Sequence, residues 1–172
     1  FLTHSQAIVQ VPSKDLVDRF LPSYQRGTLQ LHPDNPITVA PQVNEDWLME
    51  IRKQTDEAMR RTSGVIQEAH DEFREIFGRG DPSPFIEEYM CDDAEIILVG
   101  MGTLAMPSSV SVRRIREAGK KVGFLRVKFF RPFPAEEIRA VLGKAKGVAV
   151  IDRDYSYGSP SFAGVLFHEL RS

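Results

Sequence analysis

The longest regular pattern of apolar residues in the chain spans residues 44–78. Apolar side chains recur there at the i, i+3, i+4 and i+7 spacing of one helical face, from Trp47 to Phe77. Asn44 is placed to cap the start of this helix, and Gly78 follows its last apolar residue, as glycine often does at a helix end. The pattern predicts one helix about 50 Å long, which is either a long helix internal to its domain or one that overhangs a small domain and packs on a larger assembly.

After residue 84 the pattern changes to short apolar runs that alternate with helical segments. The predicted elements are strands at 95–100, 122–130 and 147–152 and helices at 108–118, 134–142 and 161–171. This alternation is typical of a parallel sheet that helices cover on both faces. We therefore expect an α/β fold, a three-layer α/β/α unit with a mainly parallel sheet.

Residues 1–43 are dense in proline, which removes a backbone donor and fixes φ, so regular elements are discouraged there. Only residues 13–21 predict a short helix, with Ser13 as its cap. The segment is either a loose tail or an extended arm that lies on another surface. Apolar side chains such as Ile8 and Phe20 favour the arm.

These patterns divide the chain into three predicted regions: an extended arm at 1–43, a long helix and turn at 44–84, and an α/β domain at 85–172. The chain starts at Phe1 without a methionine and ends at Ser172 inside a predicted helix. We expect the natural polypeptide to continue at both ends, and the α/β domain to be truncated.

Composition narrows the class of protein. The 172 residues carry a formal net charge of -2 at a pI near 6.1, so nothing favours binding to nucleic acid or to a membrane surface. No apolar run approaches the roughly 20 residues of a membrane span. The single cysteine, Cys91, excludes an intrachain disulfide and suits a reducing compartment, so we expect a cytoplasmic protein. The four histidines are scattered, so no metal site is expected.

Candidate functional residues fall at the carboxyl ends of the predicted strands, where open parallel sheets gather ligands. Three loops, at 100–103, 130–134 and 152–158, would meet at this edge. The candidate interface or anion site consists of Gly100, Gly102, Thr103, Arg131, Asp152, Arg153 and Tyr155.

The loop after the first predicted strand reads G-x-G-x-x-A over residues 100–105, the minimal dinucleotide-binding pattern. The second strand, however, is followed by Lys128 and Arg131 instead of the carboxylate that binds a ribose, so only an NADP-type site would fit. Pro107 also interrupts the expected start of the helix. The alternative is a tight turn whose small residues pack against a neighbour.

The loop after the third predicted strand contains two acids. Asp152 and Asp154 would point to opposite sides if the strand continued, so they are not expected to form an acid–base pair. Ion pairs and tyrosine hydroxyls at a protein interface are the expected use of this loop. For Arg131 an interfacial salt bridge is favoured over anion binding.

Seven segments together resemble the C-terminal part of the alpha subunit of 2-oxoacid:ferredoxin oxidoreductases, the pyruvate synthase group. They are FLTHSQAIVQVP, LVDRFLPSY, DNPITVAP, EFREIFGR, DAEIILVGMGTLA, REAGKKVGFLRVKFFRPFPAEEIR and GVAVIDRDYSYG, in this order along the chain. The last three are the most specific.

The resemblance implies a transketolase C-terminal-like domain of a complex that oxidatively decarboxylates a 2-oxoacid to acyl-CoA. Such a complex uses thiamine diphosphate and passes electrons through iron–sulfur clusters to ferredoxin. Its cofactor lies between the N-terminal domain of the alpha subunit and the beta subunit. The resemblance therefore implies a non-catalytic assembly domain that holds no cofactor or metal itself. Its implied partners are the beta and ferredoxin-type subunits of an oligomer, without nucleic acid or membrane.

Overall fold

The computed structural model describes residues 8–25, 27 and 30–172. The remaining residues of the predicted arm, 1–7 among them, lie outside the described part. The described chain divides into two compact units, residues 8–80 and residues 81–172. The domain boundaries after residues 43 and 84 stay predictions.

The helices are α1 (Lys14–Phe20), α2 (Glu45–Phe77), α3 (Ala105–Glu117), α4 (Ala135–Leu142) and α5 (Val165–Arg171). The strands are β1 (Ile86–Tyr89), β2 (Ile96–Met101), β3 (Val122–Val127) and β4 (Gly147–Ile151). Within the described residues, no helix has the length and apolarity needed to cross a membrane.

The predicted long helix is confirmed as α2, which has 33 residues. Gly78 ends it in the left-handed conformation, with φ of 62°, and its amide donates to the Arg74 carbonyl at 2.9 Å. Ser13 and Asn44 stand at the N-cap positions of α1 and α2, as predicted, but without the capping hydrogen bond. Asn44 instead donates to the carboxylate of Asp46 at 3.2 Å, so its amide group is turned away from the helix amides.

In the first unit, an aromatic cluster holds α1 against the C-terminal part of α2. The Phe20 ring lies edge-on to the rings of Phe73 and Phe77, with both centroid distances at 5.6 Å. Phe73 and Phe77 themselves stand 4.5 Å apart, one helical turn from each other along α2. The contact therefore covers only one end of the apolar face of the helix.

The second unit has an α/β fold with a mainly parallel sheet, as expected. The strand order is β1-β3-β2-β4, with β2 parallel to both neighbours and β1 antiparallel to β3. The sheet thus has four strands, where the sequence predicted three. Strand β1 was missed because it has only four residues, two of which are glutamates. Its pairing to β3 is also remote in sequence.

Helices lie on both faces of the two central strands. On one face, Val112 of α3 packs in a cluster with Val122 and Phe124 of β3. On the other, Ile97 and Val99 share their face with Val148 and Val150 of β4, which border a groove that α4 and α5 also line. Strand β4 is less covered than β2 and β3, since Val148 is 45% exposed.

Glycines at two sheet positions offer a matched test of this packing. A Cβ on Gly123 would lie 2.8 Å from the Met90 carbonyl oxygen and 3.0 Å from the Cys91 Cα, whereas one on Gly147 would meet its nearest atom at 3.9 Å. We expect Gly123→Ala to lower the free energy of unfolding by about 1–3 kcal/mol through overpacking. Gly147→Ala should change it by less than about 1 kcal/mol. Urea unfolding followed by circular dichroism measures both, and equal losses would contradict this packing.

Candidate functional site at the carboxyl edge of the sheet

The predicted loops do meet at one edge of the sheet. Strands β3, β2 and β4 are adjacent and parallel, so their carboxyl ends lie together. Gly100 of β2 is paired with Arg126 of β3 on one side and with Ile151 of β4 on the other. After β2 the chain forms β3 on one side of β2, and after β3 it crosses to form β4 on the other side. The direction of the connections therefore reverses between β2 and β4. That is where open α/β sheets place ligands.

The glycine loop owes its small residues to packing and backbone conformation. A Cβ on Gly100 would lie 3.3 Å from the Phe124 ring and 3.5 Å from the Ile151 carbonyl oxygen. Gly102 has φ of 59° and open space around it, so its requirement is the left-handed backbone. Thr103 beside it is exposed. These features favour the tight-turn interpretation of the loop.

The helix after this loop starts earlier than expected. Residues 102–104 form one 3-10 turn, and α3 begins at Ala105 where the sequence predicted residue 108. Pro107 therefore does not interrupt the helix start. It lies in the first turn, where its missing amide costs no intrahelical hydrogen bond.

The two acids of the third loop both bind the start of α5. Asp152 accepts a hydrogen bond from the Leu166 amide at 3.1 Å, and Asp154 accepts one from the Val165 amide at 3.3 Å. The Asp154 amide donates to Asp152 at 3.0 Å. The condition for opposite directions, a strand that continues through both acids, is not met because β4 ends at Ile151.

Gly164 completes this junction and was missed by the sequence analysis. A Cβ there would lie 2.6 Å from the Asp152 carboxylate and 2.5 Å from the Asp154 carbonyl oxygen. The carboxylate therefore reaches the helix amides only because residue 164 has no side chain. The available signal in the sequence was a glycine just before a short apolar run. That pattern is too common to identify such a junction.

Arg131 makes an ion pair within its own domain. Its guanidinium donates to the Glu169 carboxylate of α5 at 2.5 Å and lies over the Phe130 ring, 4.4 Å from the centroid. The salt bridge that the structure shows for Arg131 is thus internal, and its use at an interface stays a prediction. Helix α5 is held by the carboxyl edge at both ends, by Asp152 and Asp154 at its start and by Arg131 at Glu169.

A second missed contact anchors the same loop on α5. The Ser159 and Ser161 hydroxyls lie 2.9 and 3.3 Å from His168 Nε2, and 2.9 Å from each other. The histidines looked scattered in sequence because this contact forms only when the loop folds back on the helix.

The exposed part of the loop consists of aromatic and basic side chains. Arg153 is exposed, and Tyr155 and Tyr157 stack edge to face with centroids 5.2 Å apart. Tyr157 is 91% exposed. Thr103, Arg153 and Tyr155 are side chains of the predicted set left open to another molecule, with Tyr157 beside Tyr155, and their use as an interface or anion site stays a prediction.

The described residues contain no group of three or more histidine, cysteine, aspartate or glutamate side chains placed to hold a metal ion. Cys91 is buried, and burial raises the pKa of its thiol. Its Sγ lies 3.4 Å from the Phe124 carbonyl oxygen, within the core. The chemistry that this edge shows is therefore hydrogen bonding and ion pairing between its own elements.

Comparison with known proteins shows which families and relatives the chain resembles. Residues 1–71 match the family described as pyruvate flavodoxin/ferredoxin oxidoreductase, thiamine diphosphate-binding, and residues 94–172 match pyruvate:ferredoxin oxidoreductase core domain II. Pyruvate synthase subunit PorA of Methanothermobacter thermautotrophicus is 40% identical over 98% of this chain and 43% of its own length. Ketoisovalerate oxidoreductase subunit VorA of Pyrococcus abyssi is 36% identical over 99% and 42%.

A solved structure described as the alpha chain of a probable 2-oxoacid ferredoxin oxidoreductase from Thermoplasma acidophilum also matches. It covers 46% of this chain and 66% of its own, with 26% identity and a TM-score of 0.26, too low to support an argument about the fold.

The fold and the matched families define a mixed α/β region of an oxidoreductase subunit. The chain belongs to the alpha-subunit family of 2-oxoacid:ferredoxin oxidoreductases, so the resemblance seen in the sequence is confirmed. It spans about two fifths of the length of the curated relatives that it matches, 43% and 42% for the two named above.

The junction at α5 predicts unequal costs for two neighbouring substitutions. Asp152→Ala removes the acceptor of the Leu166 and Asp154 amides, so we expect a loss of about 1–2 kcal/mol in the free energy of unfolding. Arg153→Ala, next to it and exposed, should change the value by less than about 0.5 kcal/mol. Denaturant unfolding of both variants checks this, and a neutral Asp152→Ala would show that the capping geometry is wrong.

Proposed function

We propose that these 172 residues are the assembly region of the alpha subunit of a thiamine diphosphate-dependent 2-oxoacid:ferredoxin oxidoreductase. The whole complex would oxidatively decarboxylate a 2-oxoacid to acyl-CoA and pass the electrons to ferredoxin. Support comes from the two matched families, which together span most of the chain, and from relatives named pyruvate synthase and ketoisovalerate oxidoreductase subunits.

The observation that carries the assembly role is the internal use of the carboxyl edge. Asp152 and Asp154 bind α5 amides, and Arg131 binds Glu169. A group that acts on a substrate must present its polar atoms to that substrate, whereas these atoms are directed to the domain's own helix. Residues 81–172 would thus supply structure and contact surface, and the chemistry would lie elsewhere in the complex.

Iron–sulfur clusters do not fit the residues of this chain. A cluster requires about four thiolates, and the chain has one cysteine, Cys91, which is buried with a raised thiol pKa. The clusters of the proposed complex would therefore be bound by other polypeptide segments. The partners we propose are a beta subunit and a ferredoxin-type subunit, as the resemblance implies. We propose that they assemble with this subunit as an oligomer in the cytoplasm.

The choice of 2-oxoacid would be made outside this region. Relatives named for pyruvate and for ketoisovalerate are 40% and 36% identical to it, over nearly the same span. Two proteins named for different 2-oxoacids thus resemble this segment almost equally. We assign the chain to the pyruvate synthase group without assigning the acid.

The alternative of an NADP-type nucleotide site finds no support in these comparisons. The families and relatives named above describe thiamine diphosphate and ferredoxin enzymes. Gly100 is explained by its approach to Phe124, without a pyrophosphate.

Reconstitution tests the proposed activity. The full-length subunit, combined with its beta and ferredoxin-type subunits, should reduce ferredoxin when given pyruvate or another 2-oxoacid, coenzyme A and thiamine diphosphate. Omission of thiamine diphosphate or of coenzyme A should abolish the reduction. A complex that reduces NADP without thiamine diphosphate would overturn the proposal and restore the alternative.

The assembly role predicts how Arg131→Ala affects that complex. Loss of the Glu169 ion pair should lower the thermal midpoint, since an exposed pair contributes about 0–1 kcal/mol. The kcat of assembled complex and the KM for the 2-oxoacid and coenzyme A should stay within about twofold. Arg153→Ala is the control from the same edge. A kcat loss of about 100-fold in fully assembled Arg131→Ala complex would show that the arginine contacts the reacting groups.

A further inference from the structure

Apolar side chains follow one face of α2 along its length, interrupted by Thr55 and Thr62, and those in the first half of the helix are uncovered. We call the uncovered part the open stripe: Trp47, Leu48, Ile51, Ala58 and Met59. Positions 47, 51 and 58 recur at helical spacing on one face, with 48 and 59 beside them. Trp47 is 65% exposed and Leu48 47%, far above the values of a packed aromatic or aliphatic side chain. A stripe this apolar on a water-facing helix is a surface made for packing.

The second half of the same stripe shows how it is used. There Phe73 and Phe77 receive the Phe20 ring of α1, at centroid distances of 5.6 Å. The open stripe continues this intrachain contact along the same face of the same helix. The open stripe is therefore placed to make a second packing contact on this face of α2.

The opposite face of α2 is satisfied by its own charges. Lys53 pairs with Glu57 at 3.7 Å, and Arg60 pairs with Asp56 at 2.9 Å, each one turn apart. These side chains remain exposed. The helix thus presents one face to water and one to a partner.

The described residues around the open stripe lack a buried core, and this indicates what covers the stripe. Residues 1–71 match a thiamine diphosphate-binding family, yet the described residues between 8 and 71 include no buried side chain. A folded domain needs a buried core, so these residues must pack on a core built by other residues. The named relatives are more than twice as long as the matched region, which is 43% and 42% of their lengths.

We propose that the open stripe packs against the remainder of the thiamine diphosphate-binding domain of the same subunit. The proposal rests on the proposed function for the identity of that domain. Helix α2 would then attach the α/β unit to the cofactor-binding part of the same chain. The occupant is intrachain because one family match runs through α1 and through the open stripe alike.

Thiol protection in the full-length subunit tests the proposal without measuring activity. Ile51→Cys and Met59→Cys each place a thiol on the open stripe. Their controls on the polar face are Lys53→Cys, two residues from Ile51, and Arg60→Cys, one residue from Met59. Alkylation is followed at each position by peptide mass spectrometry, in the isolated full-length subunit and in the complex. The same variants in denaturant give the unprotected rates.

We expect the two stripe thiols to react at least about tenfold more slowly than the two polar-face thiols in the isolated subunit, and equally fast in denaturant. Equal rates in the folded subunit would overturn the proposal. Protection that appears only in the complex would overturn it as well, because the occupant would then be another subunit. If the stripe is protected but the complex has no thiamine-dependent activity, the packing stands and the proposed function fails.

Discussion

The structure of residues 81–172 depends on the burial of two adjacent strands, β2 and β3. Ile97, Val99 and Leu125 are fully buried on one face of the sheet, and Val112 of α3 is equally inaccessible on the other face. Burial of apolar side chains is the main favourable term in folding, and the backbone groups carried into that layer must be paired. The two strands satisfy this by pairing with each other, with β1 and β4 at the outer edges. The described residues between 8 and 80 have no comparable core, and an aromatic cluster joins α1 and α2.

Parallel pairing of the central strands has a direct consequence for the candidate site. It brings three loops to one edge, where α/β proteins commonly bind ligands. Here the polar groups of that edge hold α5, through Asp152 and Asp154 at its first amides and Arg131 at Glu169. Gly164 permits the closest of these contacts. The exposed remainder of the edge consists of Thr103, Arg153, Tyr155 and Tyr157, and its use stays a prediction.

The two halves of the chain differ in what they need from the rest of a larger protein. The α/β unit buries its own core and leaves mainly β4 half-covered, as the exposure of Val148 shows. Helix α2 buries nothing fully and offers an apolar face that Thr55 and Thr62 interrupt. A region with this distribution suits a part that connects and positions other domains, in line with the family to which the chain belongs.

The sequence by itself determined the elements whose signals are local. Helix α2 and its end at Gly78 follow from a period repeated over 33 residues and from one left-handed glycine, and the α/β alternation follows from short apolar runs. The tertiary structure decided the rest. Strand β1 exists because β3 offers it a partner about 40 residues away, and Asp152 and Asp154 converge because α5 returns over the end of β4. Such contacts join residues that are remote or separated by a loop, so no spacing along the chain encodes them.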